Sequence, residues 1–545
     1  MSKINRSIRH LENNANNGNI SSSFQLFQDF ESGEGVNVDP HKAVKYFKQC
    51  ATALSFSEEK IECPRNRITL KDIELFYFRK FTHLPIRFEE DITVFIGGNG
   101  SGKTTILEAI ARTFSWINAR IVFQGRNGRT LDDYDVTIGE LTNSEVNTTF
   151  GLGEHTTYKG ALVRPAKGLE SAKSSKLEEY RNLSNLFRVV NSRMRTLTKK
   201  EIDIPLLAYY SVDRSYIKSN LTFDLEKVSS GEQESRFDVI DKSVLDGTGN
   251  VNDFLKWFIY SDNLSDDKEI ASLTKIRAEI SALESIVTDD SSPLHAILET
   301  KRNDENELSK KLSQSNKKNI SSSIQYVKDA ITSAVPSVSD LFVDRSSGRA
   351  EVRIVNEGVN INISQASKGQ QVYIALIADI ARRLMSLNPT LTNKLNGQGI
   401  ILIDEVELHL HPEWQKNILY KLTSTFPNIQ FIVTTHSPIV LSGVKSQNIR
   451  TLGTNIEGID VAVSPLAQSY ARSPSDVLET IMHVDVSTSF PETSKLEKYR
   501  KIVEQGNYQS NDSKQLRKEL IEALGSSHEE LVRLDMVVRR RELLG

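Results

Sequence analysis

Short apolar segments alternate with polar stretches through most of the chain and predict a mixed α/β protein. Four segments are almost wholly apolar and have the length of strands buried on both faces of a parallel sheet: 92–96, 206–210, 400–403 and 429–433. Between 66 and 90 apolar and polar residues alternate, which indicates strands with one covered face. Pro85 places the strand 84–88 at a sheet edge, because proline cannot donate to a neighbouring strand.

Apolar residues recur every three or four positions in other segments and predict helices. Helical patterns cover the first 60 residues, 106–116 after the strand 92–96, and 371–387. Two short heptad-like runs within 264–330 predict a helical insertion that is too short for a long coiled-coil arm. The predicted division of the chain has five parts: a helical module (1–62), the first half of a split α/β domain (63–263), the helical insertion (264–335), the second half (336–455) and a helical C-terminal region (456–545).

The N-terminal pattern Phe-x-x-Gly-x-Gly-Val-x-x-Asp-x-x-Lys-Ala-x-x-Tyr, from Phe30 to Tyr46, resembles a Sel1-like repeat of the tetratricopeptide type. One repeat cannot bury both of its faces, so the module is expected to dock on the rest of the chain or on a partner. The alternative interpretation is a helical hairpin that only caps the next domain.

The composition of the chain excludes several classes of protein. The 545 residues include 68 Lys+Arg and 71 Asp+Glu, a net charge of −3, which excludes a wholly basic nucleic-acid coat but not a local basic patch. Two cysteines, Cys50 and Cys63, cannot form a disulfide framework or a four-thiolate zinc site. Neither a signal peptide nor an apolar run of about 18 residues is visible, so a cytoplasmic protein without a membrane span is expected.

A glycine-rich loop joins the strand 92–96 to the following helix and matches G-x-x-x-x-G-K-[ST]. Its glycines allow successive backbone N–H groups to turn inward around a phosphate, at the positive end of a helix dipole. Lys103 is expected to neutralise the β- and γ-phosphates, and the Thr104 hydroxyl to ligate Mg²⁺. The predicted ATP-binding residues of this loop are Gly97, Asn99, Gly100, Ser101, Gly102, Lys103, Thr104 and Thr105.

Two acidic residues end the apolar strand 400–403. Asp404 is predicted to contact Mg²⁺ with Thr104, and Glu405 is predicted to act as the general base that polarises the attacking water. His436, at the end of the strand 429–433, is predicted to orient the water or contact the γ-phosphate. His409 and His411 have an H-x-H spacing, but no third ligand is evident, so a subunit contact is favoured over zinc.

Thr104 and Asp404 are 300 positions apart, which indicates a nucleotide domain split by an insertion. Just before the second half, Ser367-Lys368-Gly369-Gln370 opens a helix, and this combination resembles the ABC-type ATPase heads related to SMC proteins and the overcoming-lysogenization-defect ATPases. The resemblance implies that Ser367, Gly369 and Gln370 contact ATP held by the opposite subunit of a head-to-tail dimer, and that the loop 408–412 is a dimer contact. A second signature-like run, 229–233, is rejected because no long apolar helix follows it.

The resemblance leaves some family positions weakly matched. ATPase heads of this group have a Q-loop glutamine, and no clear counterpart is evident in this sequence. Gln124 is a weak candidate for it. Arg79 and the pair Asp213-Arg214 resemble nucleotide-proximal or linker positions of the family, without a catalytic role being assigned.

Within this group the chain resembles the PtuA ATPases of Septu and retron anti-phage systems, on its moderate size, short insertion, Sel1-like module and basic C-terminal end. It has no evident nuclease motif, so the resemblance implies a separate HNH endonuclease of the PtuB type and, in a retron, a reverse transcriptase with its DNA–RNA product. Nucleic acid would then be contacted through the complex. The terminal Arg539-Arg540-Arg541 run is either a docking site for the nuclease or a solvated helix end.

Three other functions remain as alternatives. An SMC-like DNA-repair ATPase would be expected to have long heptad arms and a zinc hook, and an assembly scaffold would bind ATP without turnover. A transporter ATPase subunit would need membrane coupling and is usually about half this length.

Overall fold

The computed structural model describes residues 2–55, 66–139, 142–168, 173–215, 236–247, 251–265, 276–277, 279–280, 293–314, 317–346, 350–483 and 491–544. It divides into two compact units, Met1–Arg472 and Ser473–Gly545. Cys63, the run 229–233 and the heptad positions 270, 273 and 283 lie outside the described residues.

The strands, in chain order, are β1 (Ile68–Phe78), β2 (Phe81–Arg87), β3 (Ile92–Ile96), β4 (Ser144–Leu152), β5 (Thr156–Arg164), β6 (Leu206–Tyr210), β7 (Val338–Asp344), β8 (Glu351–Asn356), β9 (Val359–Asn362), β10 (Gly399–Ile403), β11 (Ile429–Thr434), β12 (Ile449–Thr454) and β13 (Asp460–Val463). The helices of the first unit are α1 (Ser2–Asn16), α2 (Ile20–Ser32), α3 (Pro40–Leu54), α4 (Lys103–Val122), α5 (Glu178–Thr198), α6 (Val251–Ser265), α7 (Pro293–Gln314), α8 (Lys317–Ala334), α9 (Lys368–Leu387), α10 (Pro412–Gln415), α11 (Ile418–Thr425) and α12 (Pro438–Leu441). Those of the second unit are α13 (Pro474–Thr480), α14 (Pro491–Glu504), α15 (Asn511–Leu524) and α16 (Glu529–Leu544).

The central sheet has the strand order β13-β12-β3-β11-β10-β6, and the predicted α/β class is confirmed. The strands from β12 to β6 run parallel, and β13 closes the edge antiparallel to β12. All residues of β6, β10 and β11 are buried, as their continuous apolar sequences predict. The carboxyl ends of β3, β11, β10 and β6 therefore lie side by side, which is where parallel sheets place their ligand sites.

A second, antiparallel sheet has the order β2-β1-β4-β5. Strand β2, which contains Pro85, lies at its edge, as predicted. Two buried amide side chains tie β1 to the central sheet: Gln398 Oε1 accepts from Ile68 N at 2.8 Å, and Gln430 bonds both N and O of Leu70 at 2.7 and 3.0 Å. These bonds satisfy backbone groups at the junction of the two sheets.

The N-terminal module consists of α1, α2 and α3, and it docks on the α/β part of the chain. Asn19 caps α2 through Ser22 N and also donates to His155 O at 2.7 Å, while Ile20 N donates to Thr156 Oγ1 at 2.9 Å. The predicted docking on the rest of the chain is therefore confirmed. Helix α1 lies within the first 60 residues, where helical patterns were predicted, and only Ala15 is fully covered among its described side chains.

After the insertion, a small antiparallel sheet of order β7-β8-β9 precedes the long helix α9. The region predicted as a helical C-terminal part, 456–545, begins with β13, which completes the central sheet. The second unit is helical and has its own core of Tyr499, Val503, Leu520, Leu531 and Leu534. Within the described residues, no helix is both long and apolar enough to cross a bilayer.

Candidate active site

The loop between β3 and α4 has the conformation of a phosphate-binding cradle. Gly97, Gly100 and Gly102 have φ values of 152°, 74° and 96°, which side-chain-bearing residues rarely adopt. A Cβ on Gly102 would lie 2.2 Å from the ring of Phe81, so the β1–β2 hairpin presses directly against the loop. From the same hairpin, Lys80 Nζ donates to Gly100 O at 3.2 Å.

Lys103 is the first residue of α4 and is 7% exposed. Its Nζ donates to Gly97 O and Gly98 O, at 2.9 and 3.1 Å, and so lies over the loop. Burial lowers the pKa of Lys103, and the carboxylates of Asp404, Glu405 and Glu407 oppose that shift. The ammonium group thus lies against the loop, where the charges of three acids act on it.

Thr104 and Asp404 meet although they are 300 positions apart. Thr104 Oγ1 donates to Asp404 Oδ2 at 2.7 Å, and Thr434 Oγ1 donates to Asp404 Oδ1 at 2.5 Å. Thr434, which was not predicted as a site residue, also accepts from Glu405 N at 2.7 Å. A hydroxyl from α4 and a carboxylate from β10 are the oxygen ligands that a magnesium ion takes beside a nucleotide.

Arg214 fixes the backbone that carries the acid pair. It is 4% exposed, and its guanidinium donates to Asp404 O, Glu405 O and Ser211 O at 2.5, 2.6 and 2.8 Å. Glu405 itself has a φ of 46°, an unfavourable conformation for a residue with a side chain. Burial lowers the pKa of Arg214 to about 10, and the carboxylates of Asp404, Glu407 and Glu405 oppose that shift.

His436 follows β11, as predicted, and its backbone N donates to Glu407 Oε1 at 2.6 Å. Three buried polar atoms at the site have no partner among the described residues: Glu407 Oε2, Arg214 Nε, and Ser101 Oγ in the phosphate loop. Such atoms are costly unless a ligand satisfies them. The orphaned hydroxyl, the glycine cradle and the Thr104–Asp404 pair together fit a nucleotide with its magnesium ion.

The signature-like segment lies at the start of α9. Ser367 is exposed and caps the helix: its Oγ accepts from Gln370 N at 3.2 Å, and Gln370 Oε1 accepts from Ser367 N at 3.0 Å. A Cβ on Gly369 would lie 2.1 Å from His409 O, so the helix start and the loop 408–412 are in direct contact. The two segments that the family resemblance assigns to a dimer contact thus form one surface.

The structure also describes the other residues that the sequence analysis singled out. Gln124 follows the C-terminal end of α4, and the 20-residue helix puts it about 30 Å from the phosphate loop. Arg79, in the β1–β2 hairpin, bonds Asp135 Oδ1 at 3.0 Å and pairs with Glu108 of α4. His409 and His411 are both exposed, and the described residues contain no group of three or more His, Cys, Asp or Glu side chains suited to a metal.

A buried ionic network joins α9 to β6. Asp379, on α9, accepts from Tyr210 Oη at 2.9 Å, from Arg383 Nε at 2.6 Å and from Arg382 Nη2 at 3.0 Å. The backbone oxygen of Tyr210 accepts from Asp404 N at 2.8 Å. Through Tyr210, the helix that begins with Ser367 is therefore connected to the strand end that carries Asp404.

Comparison with known proteins agrees with this geometry. A family model for the AAA ATPase domain matches residues 69–441. The "Retron Vc95 probable ATPase" of Vibrio cholerae serotype O1 biovar El Tor is 30% identical over 527 residues, which cover 95% of this chain and 97% of that protein. The "Retron Ec83 probable ATPase" of Escherichia coli is 31% identical over 560 residues, covering 98% of this chain and 97% of that protein.

A shorter match is the "Septu protein PtuA" of Bacillus mycoides (strain KBAB4), 35% identical over 131 residues that cover 24% of this chain and 18% of that protein. The family match covers more than half of this chain, and the two retron proteins match along almost their whole length. This chain is therefore an ATPase that belongs to the AAA ATPase domain family, with retron ATPases as full-length relatives.

Proposed function

We propose that the chain binds ATP in the glycine loop 97–105 and hydrolyses it there. The observation that carries the proposal is the 2.7 Å hydrogen bond between Thr104 and Asp404, which unites the two halves of the split domain at one phosphate-sized cradle. Thr104 and Asp404 would hold the magnesium ion, which when bound supplies positive charge to the β- and γ-phosphate oxygens. Lys103 would contribute a second positive charge to the same oxygens.

Glu405 is proposed as the general base for the attacking water, because it follows Asp404 directly and its backbone turn is fixed by Arg214 and Thr434. His436 would orient the water or contact the γ-phosphate from the end of the neighbouring strand. Glu407, which accepts from His436 N and has one oxygen without a partner among the described residues, would hold the His436 loop in position.

ATP is proposed to join two copies head to tail. Ser367, Gly369 and Gln370 would contact the triphosphate bound by the other copy, and the loop 408–412 would line the contact. The direct packing of Gly369 against His409 O supports this arrangement, because both segments belong to one surface that a second copy would meet at once. Opening and closing of the dimer would be a population shift governed by ATP.

The biological role proposed for this ATPase is anti-phage defence in the cytoplasm, on the strength of its retron and Septu relatives. The dimer would regulate a separate HNH nuclease of the PtuB type and, in a retron, act with a reverse transcriptase and its DNA–RNA product. ATP turnover measured beside nuclease activity, with and without the co-encoded proteins, distinguishes this role from a DNA-repair ATPase and from a scaffold without turnover.

The site itself is tested with Glu405→Gln in the full chain. Turnover is expected to fall about 100-fold or more, and analytical ultracentrifugation should then show a stable dimer with ATP and Mg²⁺. Lys103→Ala should bind no ATP and stay monomeric under the same conditions. Glu457→Gln, at an exposed residue between β12 and β13, is the matched control and should behave as the wild type. Wild-type turnover by Glu405→Gln, or wild-type ATP affinity of Lys103→Ala, would refute the assignment.

A further inference from the structure

One face of α5 presents only basic and neutral polar side chains. Its members are spaced by alternating steps of four and three residues, which keeps them on one side of a helix: Arg181, Asn185, Arg188, Ser192 and Arg195. From Arg181 to Arg195 the set spans 14 residue steps of the helix, a length of about 21 Å. We call this set of side chains the α5 arginine row.

Helix α4 adds a fourth arginine beside the row. Ser184 Oγ on α5 lies 3.1 Å from Ile117 O on α4, so the two helices are in contact at these residues, although its shorter hydrogen bond is to Tyr180 O at 2.7 Å. Arg181 and Arg188 lie one turn on either side of Ser184, and Arg120 lies one turn beyond Ile117. Burial, and next the positive charges of Arg181 and Arg188, lower the pKa of Arg120, in keeping with three guanidinium groups at one place.

These three arginines have no acidic partner among the residues that the structure describes. Arg120 Nη2 donates to Asn127 Oδ1 at 3.2 Å and Arg188 Nη2 to Asn185 Oδ1 at 2.8 Å, both neutral acceptors. Within the same described part of the chain, the Nε atoms of Arg120 and Arg188 are covered and have no acceptor.

Neighbouring arginines behave differently. On the far side of α5, Arg193 pairs with Glu31 at 2.7 Å, and at the end of the row Arg195 lies 3.9 Å from Glu201. Helix α5 has two acids in its first turn, Glu178 and Glu179, at the Arg181 end of the row. The carboxylate of Glu179 accepts from Lys159 N. A chain with a net charge of −3 thus keeps a cluster of uncompensated positive charge at one place.

We infer that Arg120 and the α5 arginine row bind the sugar–phosphate backbone of duplex nucleic acid. A line of about 21 Å is longer than one phosphate group needs and matches the run of phosphates along a groove edge. Guanidinium groups bind phosphate oxygens in a bidentate manner, and the neutral Asn185 and Ser192 add hydrogen-bonding groups between them. The row has no aromatic side chain on which unpaired bases would stack, which favours a duplex over a single strand.

This inference adds a nucleic-acid contact to the proposed function without depending on the ATP site, since none of these arginines belongs to the cradle. It is tested on the full chain with the triple variant Arg120→Gln/Arg181→Gln/Arg188→Gln. The probe is a fluorescein-labelled DNA duplex of about 30 bp, and binding is followed by fluorescence anisotropy between about 50 and 200 mM KCl.

The triple variant should bind the duplex at least about tenfold more weakly. The slope of log K against log salt should fall by about 2.7, or about 0.9 for each phosphate that an arginine no longer neutralises. The control triple Arg164→Gln/Arg193→Gln/Arg500→Gln removes the same charge from arginines paired with Asp133, Glu31 and Glu504, and should stay within about twofold of the wild type. Basal ATP turnover should be unchanged in both, which separates this test from that of the ATP site.

Unchanged affinity and salt slope in the triple variant would overturn the inference. So would tighter binding of a single strand of the same sequence, or loss of a co-purifying partner protein with DNA binding intact. If the triple variant does not fold, Arg188→Gln alone decides the question: a slope lower by about 0.9 supports the inference and an unchanged slope refutes it.

Discussion

The hydroxyl of Thr434 is the smallest group on which the geometry of the acid pair depends. It donates to one oxygen of Asp404 and accepts from the backbone of Glu405, and the side chain is fully buried. Its sequence context does not single it out, because a threonine at the end of an apolar strand is common. The signal that could have identified it is its position on β11, whose carboxyl end lies beside that of β10.

Thr434→Val keeps the shape of the side chain and removes both hydrogen bonds. We expect a cost of about 1–3 kcal/mol in the free energy of unfolding and a kcat about tenfold lower, with the KM for ATP nearly unchanged. The matched control is Thr425→Val, since Thr425 Oγ1 is also buried but has no partner among the described residues. Equal effects of the two substitutions on kcat would show that Thr434 has no part in positioning the acids.

Arg214 supports the same acid pair through hydrogen bonds to the backbone oxygens of Asp404 and Glu405. Arg214→Lys keeps the positive charge but replaces the planar guanidinium with a single ammonium group, which cannot reach three carbonyl oxygens in the same way. We expect kcat to fall about tenfold, with ATP affinity nearly unchanged, because the backbone of Glu405 is then without its support. The measurement is steady-state turnover beside equilibrium nucleotide binding, and weaker affinity with an unchanged kcat would contradict the positioning role.

Among the elements, α9 combines two tasks, since its first residues form the signature-like cap and its middle holds the Asp379 network. Burial alone would raise the pKa of Asp379, but the positive charges of Arg383 and Arg382 lower this pKa to about 2. Because this is below the value of an unfolded aspartate, the ionised carboxylate stabilises the folded state above about pH 4, and that contribution is lost as the pH falls towards 2.

Asp379→Asn should therefore destabilise the first unit by about 3–5 kcal/mol at pH 7, because two arginines lose their buried counter-charge. At pH 3 the difference from the wild type should shrink by about 1 kcal/mol, as the stabilisation from the ionised wild-type carboxylate is then partly lost. Tryptophan fluorescence in urea is a suitable measurement, since Trp116, Trp257 and Trp414 all lie in the first unit. Asp246→Asn, at an exposed ion pair, is the control, and a pH-independent difference for Asp379→Asn would contradict this account.

The elements also show which parts of the fold can be predicted from the sequence. The phosphate loop, the strands β3, β10 and β11 and the edge position of β2 follow from local patterns: glycines at fixed spacing, continuous apolar runs and a proline. Strand β13 carries no such pattern, because its position depends on its pairing with β12. Among the partners of Asp404, Thr104 was predictable from the motif. Arg214 was placed near the nucleotide only by the family resemblance, and no sequence signal pointed to Thr434.

At the scale of the whole molecule, the chain brings Thr104 of the glycine loop into contact with Asp404 of the second half, while Ser367 caps its helix on an exposed surface. If the site is shared between two copies, Lys103 and Ser367 of one chain serve different ATP molecules. Lys103→Ala and Ser367→Arg should each abolish turnover, the first by loss of ATP binding and the second by blocking the approach of the other copy's triphosphate.

An equimolar mixture of these two variants distinguishes a shared site from a site within one chain. In a mixed dimer one site combines both substitutions, whereas the other combines an unaltered Lys103 with an unaltered Ser367. Because each mixed dimer has one intact site out of two, turnover should return, to at most about half of the wild-type value when every chain is in a mixed dimer. If Ser367 acted on the ATP of its own chain, neither subunit of a mixed dimer would be complete and no turnover would return. Failure to recover turnover, with mixed dimers verified by differently tagged chains, would therefore rule out the head-to-tail arrangement.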